Sequence, residues 1–153
     1  LVNLAHQQGW SIEIVRSENS FQRVIIHGDD SLLVDLARDS ALILKPVQTH
    51  VGLVVAPEEL AGRKLLALFD RALARDFIDV YVLARHFSPD SMVSMALMID
   101  PGFDPVALSK MLATIERFED QKLSGSGINN GELREFFANW HSSILRSNQN
   151  PER

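Results

Sequence analysis

The chain contains no cysteine, which excludes a disulfide framework and any thiolate metal site and makes a small secreted scaffold a poor fit. It has no apolar run near the roughly 20 residues that cross a bilayer. Its first residues, Leu1-Val2-Asn3-Leu4, lack the charged flank and cleavage pattern of a signal peptide. It has no basic excess either: the net charge of −5 argues against an extended nucleic-acid surface and leaves room only for a local basic patch. A cytoplasmic protein with no membrane segment is the expectation. The eight glycines are scattered at turns, with neither a phosphate loop ending in Lys-Ser/Thr nor a dinucleotide fingerprint. No serine nucleophile elbow occurs. His6, His27, His50, His86 and His141 lack paired ligand spacing and read as surface or packing residues.

What is present is a chain of 153 residues with 46% apolar content, enough for the core of one domain or of two tightly joined halves. Leu1, Leu4 and Ala5 share one face of an opening helix that Gly9 would stop. The chain begins without methionine, already inside that pattern, so further residues are expected before Leu1. Residues 10–16 (WSIEIVR) alternate, placing Ile12 and Ile14 on one side, and 21–27 (FQRVIIH) and 31–37 (SLLVDLA) flank a Gly28-Asp29-Asp30 turn, which predicts a β-hairpin. A further short strand is expected at 53–56.

From Pro57 the pattern turns helical. Pro57 suits a first turn, and Glu58 and Glu59 suit the positive end of the macrodipole. A break near Ala74 precedes a second helix over 76–86. A third opens at Ser88-Pro89-Asp90, and a fourth, capped by Asp104 with Pro105 at its first position, runs to Phe118. The polar stretch 121–130 reads as a loop, with a last helix carrying Phe136, Phe137, Trp140 and Ile144. The fold class predicted is α+β, a small antiparallel sheet followed by a bundle of about five helices. The sheet part is expected over 1–56, the helical part over 57–146 and a flexible tail over 147–153.

The charged residues of 62–81 carry the chemistry. On a helix, Lys64, Leu68 and Arg71 share a face, and Asp76 and Asp79 share one on the next. Two cations facing two acids form either an ion-pair network that fixes a helix corner or a site for a charged ligand.

The order of these residues resembles the distal motif of the nucleotidyltransferase AbiEii/AbiGii toxin family: Lys64, then Ala67-Leu68, Arg71, and Arg75-Asp76-Phe77-Ile78-Asp79. Val34-Asp35-Leu36-Ala37 is similar to that family's upstream sheet segment. The resemblance implies a polymerase-β-like protein that transfers a nucleoside monophosphate from a nucleoside triphosphate to an acceptor, which could be RNA, a protein or a small molecule. It implies Mg²⁺ as cofactor, with Asp35 as one of the metal-holding acids, and it places Asp35, Lys64 and Asp79 in the catalytic set. Lys64 would contact triphosphate oxygens, Asp76 or Asp79 would hold Lys64 or bind the ligand region, and Arg71 and Arg75 would support the phosphate or the acidic pair. An antitoxin protein is the implied partner.

One part of the family pattern is missing. A Gly-Ser turn followed after about ten residues by paired acids on a strand supplies the family's principal metal ligands, and nothing of this kind precedes Asp35; Gly125-Ser126 comes too late. The chain as written is therefore expected to lack activity by itself. Either residues before Leu1 carry that motif or the protein is a degenerate relative. The alternative function is a non-catalytic interaction module, with Phe136, Phe137 and Trp140 as either core or interface anchors and Met92, Met95, Met98 and Met111 as core fillers. Asp35 reads equally well as a solvent-facing strand residue. Asp39 reads as a loop or capping residue.

Overall fold

A computed structural model describes residues 2–38, 40–123 and 127–149. The expectations for Asp39, for Gly125-Ser126 and for the end of the tail at 150–153 lie outside the described residues. The chain forms two compact units, Leu1–Ala41 and Leu42–Arg153.

In the first unit a short helix α1 (Val2–Gln7) ends where Gly9 takes a φ of 75°, a conformation glycine adopts without cost. Three strands follow, β1 (Ser11–Ser17), β2 (Phe21–His27) and β3 (Ser31–Ala37), in the antiparallel order β1-β2-β3. The Gly28 turn closes β2 onto β3 as the alternation predicts, with His27 opposite Ser31. Gly28 also has a packing reason: a Cβ there would come within 2.9 Å of the Trp10 indole. Only β2 is well buried, through Val24 and Ile26. Ile14 does not follow the inward pattern of Ile12; the pairing register shifts between Ile14 and Arg16, and Ile14 is 60% exposed. β3 pairs with β2 alone among the described residues, and Leu32, Leu33 and Leu36 on it are exposed.

The second unit opens with a two-stranded hairpin, β4 (Val47–Thr49) and β5 (Gly52–Val54). The strand expected at 53–56 is thus present one residue earlier, together with a partner too short to show alternation. Five helices follow: α2 (Pro57–Arg71), α3 (Ala74–Leu83), α4 (Pro89–Ile99), α5 (Pro105–Ala113) and α6 (Asn130–Gln149). The architecture is α+β, as predicted. Pro57, Pro89 and Pro105 each open a helix, and the Ser88 and Asp104 side chains accept from the N–H groups of Ser91 and Val106.

The fourth predicted helix stops short of Phe118. The Thr114 hydroxyl donates to the Met111 carbonyl at 2.7 Å, and the chain tightens into a 3₁₀ turn over Thr114–Arg117. A second such turn covers Asp120–Leu123, inside the stretch read as a loop. Ser147 belongs to the end of α6.

The core of this unit is one cluster that includes Leu65, Leu68, Phe77, Val80, Met92, Leu108, Leu112, Leu133, Phe137 and Trp140. Phe137 meets Phe77 edge-on at 5.0 Å, and Phe136 meets Tyr81 at 5.5 Å, so the late aromatics are core residues. Met92 fills the core as expected, whereas Met98 is 56% exposed. Gly62 lets α2 approach α4: a Cβ at that position would lie 2.9 Å from the Met95 Cβ. No helix of the described residues is long and apolar enough to cross a membrane.

Candidate functional site

The two helices that carry the charged motif meet at a corner whose geometry follows from three residues. Ala72 caps α2 in the left-handed conformation, with φ 43° and ψ 54°, and its N–H donates to the Leu68 carbonyl. Leu73 then turns extended and becomes the N-cap of α3. Leucine has no side-chain acceptor with which to cap. Its own N–H donates to Asp76 Oδ2 at 3.0 Å, so Asp76 provides one arm of a capping box from the third helical position.

Asp76 is fully buried and takes a fork from Arg71: Nε donates to Oδ2 at 2.9 Å and Nη2 to Oδ1 at 2.7 Å. Burial pushes the Asp76 carboxyl up, but the Arg71 guanidinium and the Leu73 N–H outweigh it and hold the group below its ordinary value. Arg71 is raised in return, chiefly by its hydrogen bond to Asp76, with the charge of Asp79 adding to the effect.

Further from the corner, Lys64 Nζ on α2 donates to Asp79 Oδ2 on α3 at 2.7 Å. This pair differs in kind from the first, since both side chains are 37% exposed. The two ion pairs are nested: Arg71 and Asp76 are five residues apart, Lys64 and Asp79 fifteen. The inner pair locks the turn, and the outer pair presents an ammonium at the surface. Arg75, on the first turn of α3, is exposed and contributes its charge toward Asp76. Leu68, which the spacing puts on one face with Lys64 and Arg71, is a fully buried core residue.

Asp35 lies in the first unit, on the sheet face that also carries Arg23. The two residues are register partners across β2 and β3, and Arg23 Nε and Nη2 donate to Asp35 Oδ1 and Oδ2, both at 2.7 Å. That hydrogen bond, with the arginine charge, holds the Asp35 carboxyl below its ordinary value. No group of three or more His, Cys, Asp or Glu residues that could hold a metal ion occurs among the described residues. Asp35 with both oxygens engaged by a guanidinium does not fit a magnesium centre on its own.

Three sets of contacts here are not among the sequence expectations. Glu59 is fully buried and accepts from the Ile43 and Leu44 N–H groups at 3.0 and 2.8 Å and from Arg63, where its position had suggested only a favourable helix-start charge. Arg23 is the partner of Asp35. Arg117 Nη2, from the 3₁₀ turn after α5, donates to the Ala72 carbonyl at 2.8 Å across 45 residues. Contacts between a side chain and a distant backbone group leave no periodic trace; the pairing of residues 23 and 35 could have been read from the register of the predicted hairpin, and that of Glu59 with Arg63 from its four-residue spacing.

A cavity of about 600 Å³ opens elsewhere in the second unit, with Val93, Pro105, Phe136, Trp140 and Ile144 among its walls. No lysine or arginine among the described residues lines it, so these walls lack the charge a polyphosphate would need.

The family model described as "Nucleotidyl transferase AbiEii toxin, Type IV TA system" matches residues 35–123. The matched span begins at Asp35 and contains Lys64, Arg71, Arg75, Asp76 and Asp79. No curated protein matches the chain. Among solved structures, the crystal structure of JHP933 from Helicobacter pylori aligns at 17% identity with a TM-score of 0.48, covering 91% of this chain and 66% of that one.

Proposed function

Because the chain belongs to the nucleotidyl transferase AbiEii toxin family, we propose that its α2–α3 corner binds the triphosphate of a nucleoside triphosphate whose nucleoside monophosphate passes to an acceptor oxygen, with pyrophosphate as leaving group. The observation that carries the proposal is the Lys64–Asp79 pair, a cation held in place yet open to solvent within the matched span. An ammonium has three donors, and Asp79 uses one. Asp79 therefore fixes where the charge sits before the ligand arrives, and the remaining N–H groups meet phosphate oxygens without Lys64 having to let go. Positioning and charge stabilisation are the main contributions a protein makes to phosphoryl and nucleotidyl transfer. In this reading Lys64 offsets the charge that develops on the departing pyrophosphate, and Arg75 adds a second exposed cation.

Asp76 and Arg71 take the supporting part. A fully buried carboxylate with its oxygens committed to Arg71 and a backbone N–H holds the corner at which Lys64 and Asp79 meet. Mg²⁺ is the cofactor that the family resemblance implies, and Asp35 is the acid of this chain that would hold it; with both oxygens engaged by Arg23, Asp35 does not fit that role as it stands. The acceptor is an RNA, a protein or a small molecule, the partner an antitoxin, and the place of action the cytoplasm.

The test is equilibrium binding of inorganic triphosphate and of the four nucleoside triphosphates to the full chain and to Lys64→Ala. Loss of a charge-assisted hydrogen bond predicts a weakening of about tenfold or more. Equal binding by Lys64→Ala and the unaltered chain would overturn the proposal.

A further inference from the structure

We infer that Arg117 is a positioning residue for the Lys64–Asp79 site: by holding the Ala72 carbonyl it sets the angle between α2 and α3 on which that pair depends. The inference rests on the nucleotide reading above for its functional consequence, but not for its geometry.

Three observations lead to it. Lys64 and Asp79 sit on different helices, so their 2.7 Å contact depends on how α2 and α3 are held relative to each other. The joint between those helices is Ala72 and Leu73, and Ala72 is the one described non-glycine residue with a positive φ, a conformation that persists only where the surroundings impose it. The restraints on that joint come from two directions. Asp76 holds the Leu73 side through its hydrogen bonds to Arg71 and to the Leu73 N–H, all within the corner itself. Arg117 holds the other side from outside the corner, donating to a carbonyl that, past the end of α2, has no helical N–H to accept. A guanidinium there also complements the negative end of the α2 macrodipole.

The placement of Arg117 is itself fixed. Its guanidinium lies 5.1 Å from the centroid of the Phe118 ring, and Phe118 meets the buried Phe77, next to Asp76, edge-on at 5.9 Å. Arg134 in turn donates to the Phe118 and Ile115 carbonyls, which ties the 3₁₀ turn carrying Arg117 to α6. The pose of the phosphate-binding lysine is thereby linked to a segment that touches neither Lys64 nor Asp79 in any hydrogen bond.

The experiment exploits the absence of cysteine. Spin labels on Leu60→Cys in α2 and Val82→Cys in α3, both exposed positions, report the distance distribution between the helices in the full chain. Affinity for inorganic triphosphate and thermal midpoint are measured alongside. Arg117→Ala is expected to broaden the distance distribution and weaken triphosphate binding between about twofold and thirtyfold, the range for residues that act on a site without touching it. Arg117→Lys, which keeps one donor, is expected to recover a narrow distribution and most of the affinity, a rescue that general loss of stability would not produce. A distribution in Arg117→Ala as narrow as in the unaltered chain, or a broad one in Arg117→Lys at an unchanged thermal midpoint, would overturn the inference. If the unaltered chain binds no triphosphate, the nucleotide reading fails and the functional consequence fails with it, while the distances still decide whether Arg117 sets the corner.

Discussion

Arg71 and Asp76 join opposite sides of one helix corner through two hydrogen bonds of 2.9 and 2.7 Å, yet the acid is wholly buried and the arginine side chain is 46% exposed. That asymmetry makes the two partners unequal under mutation. Asp76→Asn leaves Arg71 free to turn to water and is expected to cost about 1–3 kcal/mol, mainly through the impaired bonds to Arg71 and the Leu73 N–H. Arg71→Ala strands a buried carboxylate and is expected to cost about 3 kcal/mol or more. Urea unfolding at neutral pH ranks the two; a smaller loss for Arg71→Ala would contradict this account.

The same corner should be acid-sensitive. Asp76 in the folded chain titrates below its unfolded value of about 3.9. Its contribution is therefore present above that value and is lost as pH falls through the lower folded one. Glu59, lowered chiefly by the Leu44 N–H, acts in the same direction. Unfolding midpoints from pH 6 to pH 2 are expected to fall mostly below about pH 4, and less steeply for Asp76→Asn. In Arg71→Ala the burial that raises the Asp76 carboxyl remains while the guanidinium that lowers it is gone, so stability should fall less steeply with acidification than in the unaltered chain.

Lys64 and Asp79 give a way to separate a ligand site from a structural strut. With both side chains more than a third exposed, the pair contributes under about 1 kcal/mol, and Lys64→Ala should barely move the thermal midpoint. The exchanged double variant Lys64→Asp with Asp79→Lys restores an ion pair across the helices but presents the ammonium from α3. Stability close to that of the unaltered chain together with lost triphosphate affinity is the expected result. Recovery of full affinity by the exchange would show that net charge at the corner, and not the placement of Lys64, determines binding.

Two small residues set opposite limits on substitution. At Ala72 the left-handed backbone favours glycine, and Ala72→Gly should stabilise by up to about 1 kcal/mol despite the extra freedom of the unfolded chain. At Gly62, Gly62→Ala should destabilise by about 1–3 kcal/mol although alanine is the better helix former, because the added methyl meets the Met95 Cβ and the Ile99 side chain. Thermal denaturation of the two single variants checks both signs at once.

The helical part of this fold was legible because its signals are local. Pro57, Pro89, Pro105, Ser88 and Asp104 mark starts by their own chemistry, and the Gly28 turn announces its hairpin. The order of Lys64, Arg71, Arg75, Asp76 and Asp79 marked the corner, but not the division of labour within it. Charge spacing alone treats Asp76 and Asp79 alike; burial separates them, and burial depends on the packing of Phe77 and Val80 around the corner. The strand Val47–Thr49 escaped because three residues carry no period. The Glu59–Arg63 pair stands at a legible four-residue spacing, but the Ile43 and Leu44 N–H groups that Glu59 also takes, and the Ala72 carbonyl that Arg117 reaches, belong to distant segments, about which a sequence window says nothing.

The β3 strand has a consequence for how the chain must be handled. Its outer N–H and C=O groups face no other described strand, and Leu32 and Leu33 are 62% and 56% exposed along it. A row of open backbone donors and acceptors beside leucines is a template onto which another extended chain can add. Asp35 is the acid on that strand, and Arg23 already neutralises it, so little charge guards the edge. Purification in dilute solution, and a lysine placed at Leu33, are the measures this edge calls for, since the colloidal fate of the chain will be decided there before any chemistry at the helix corner can be observed.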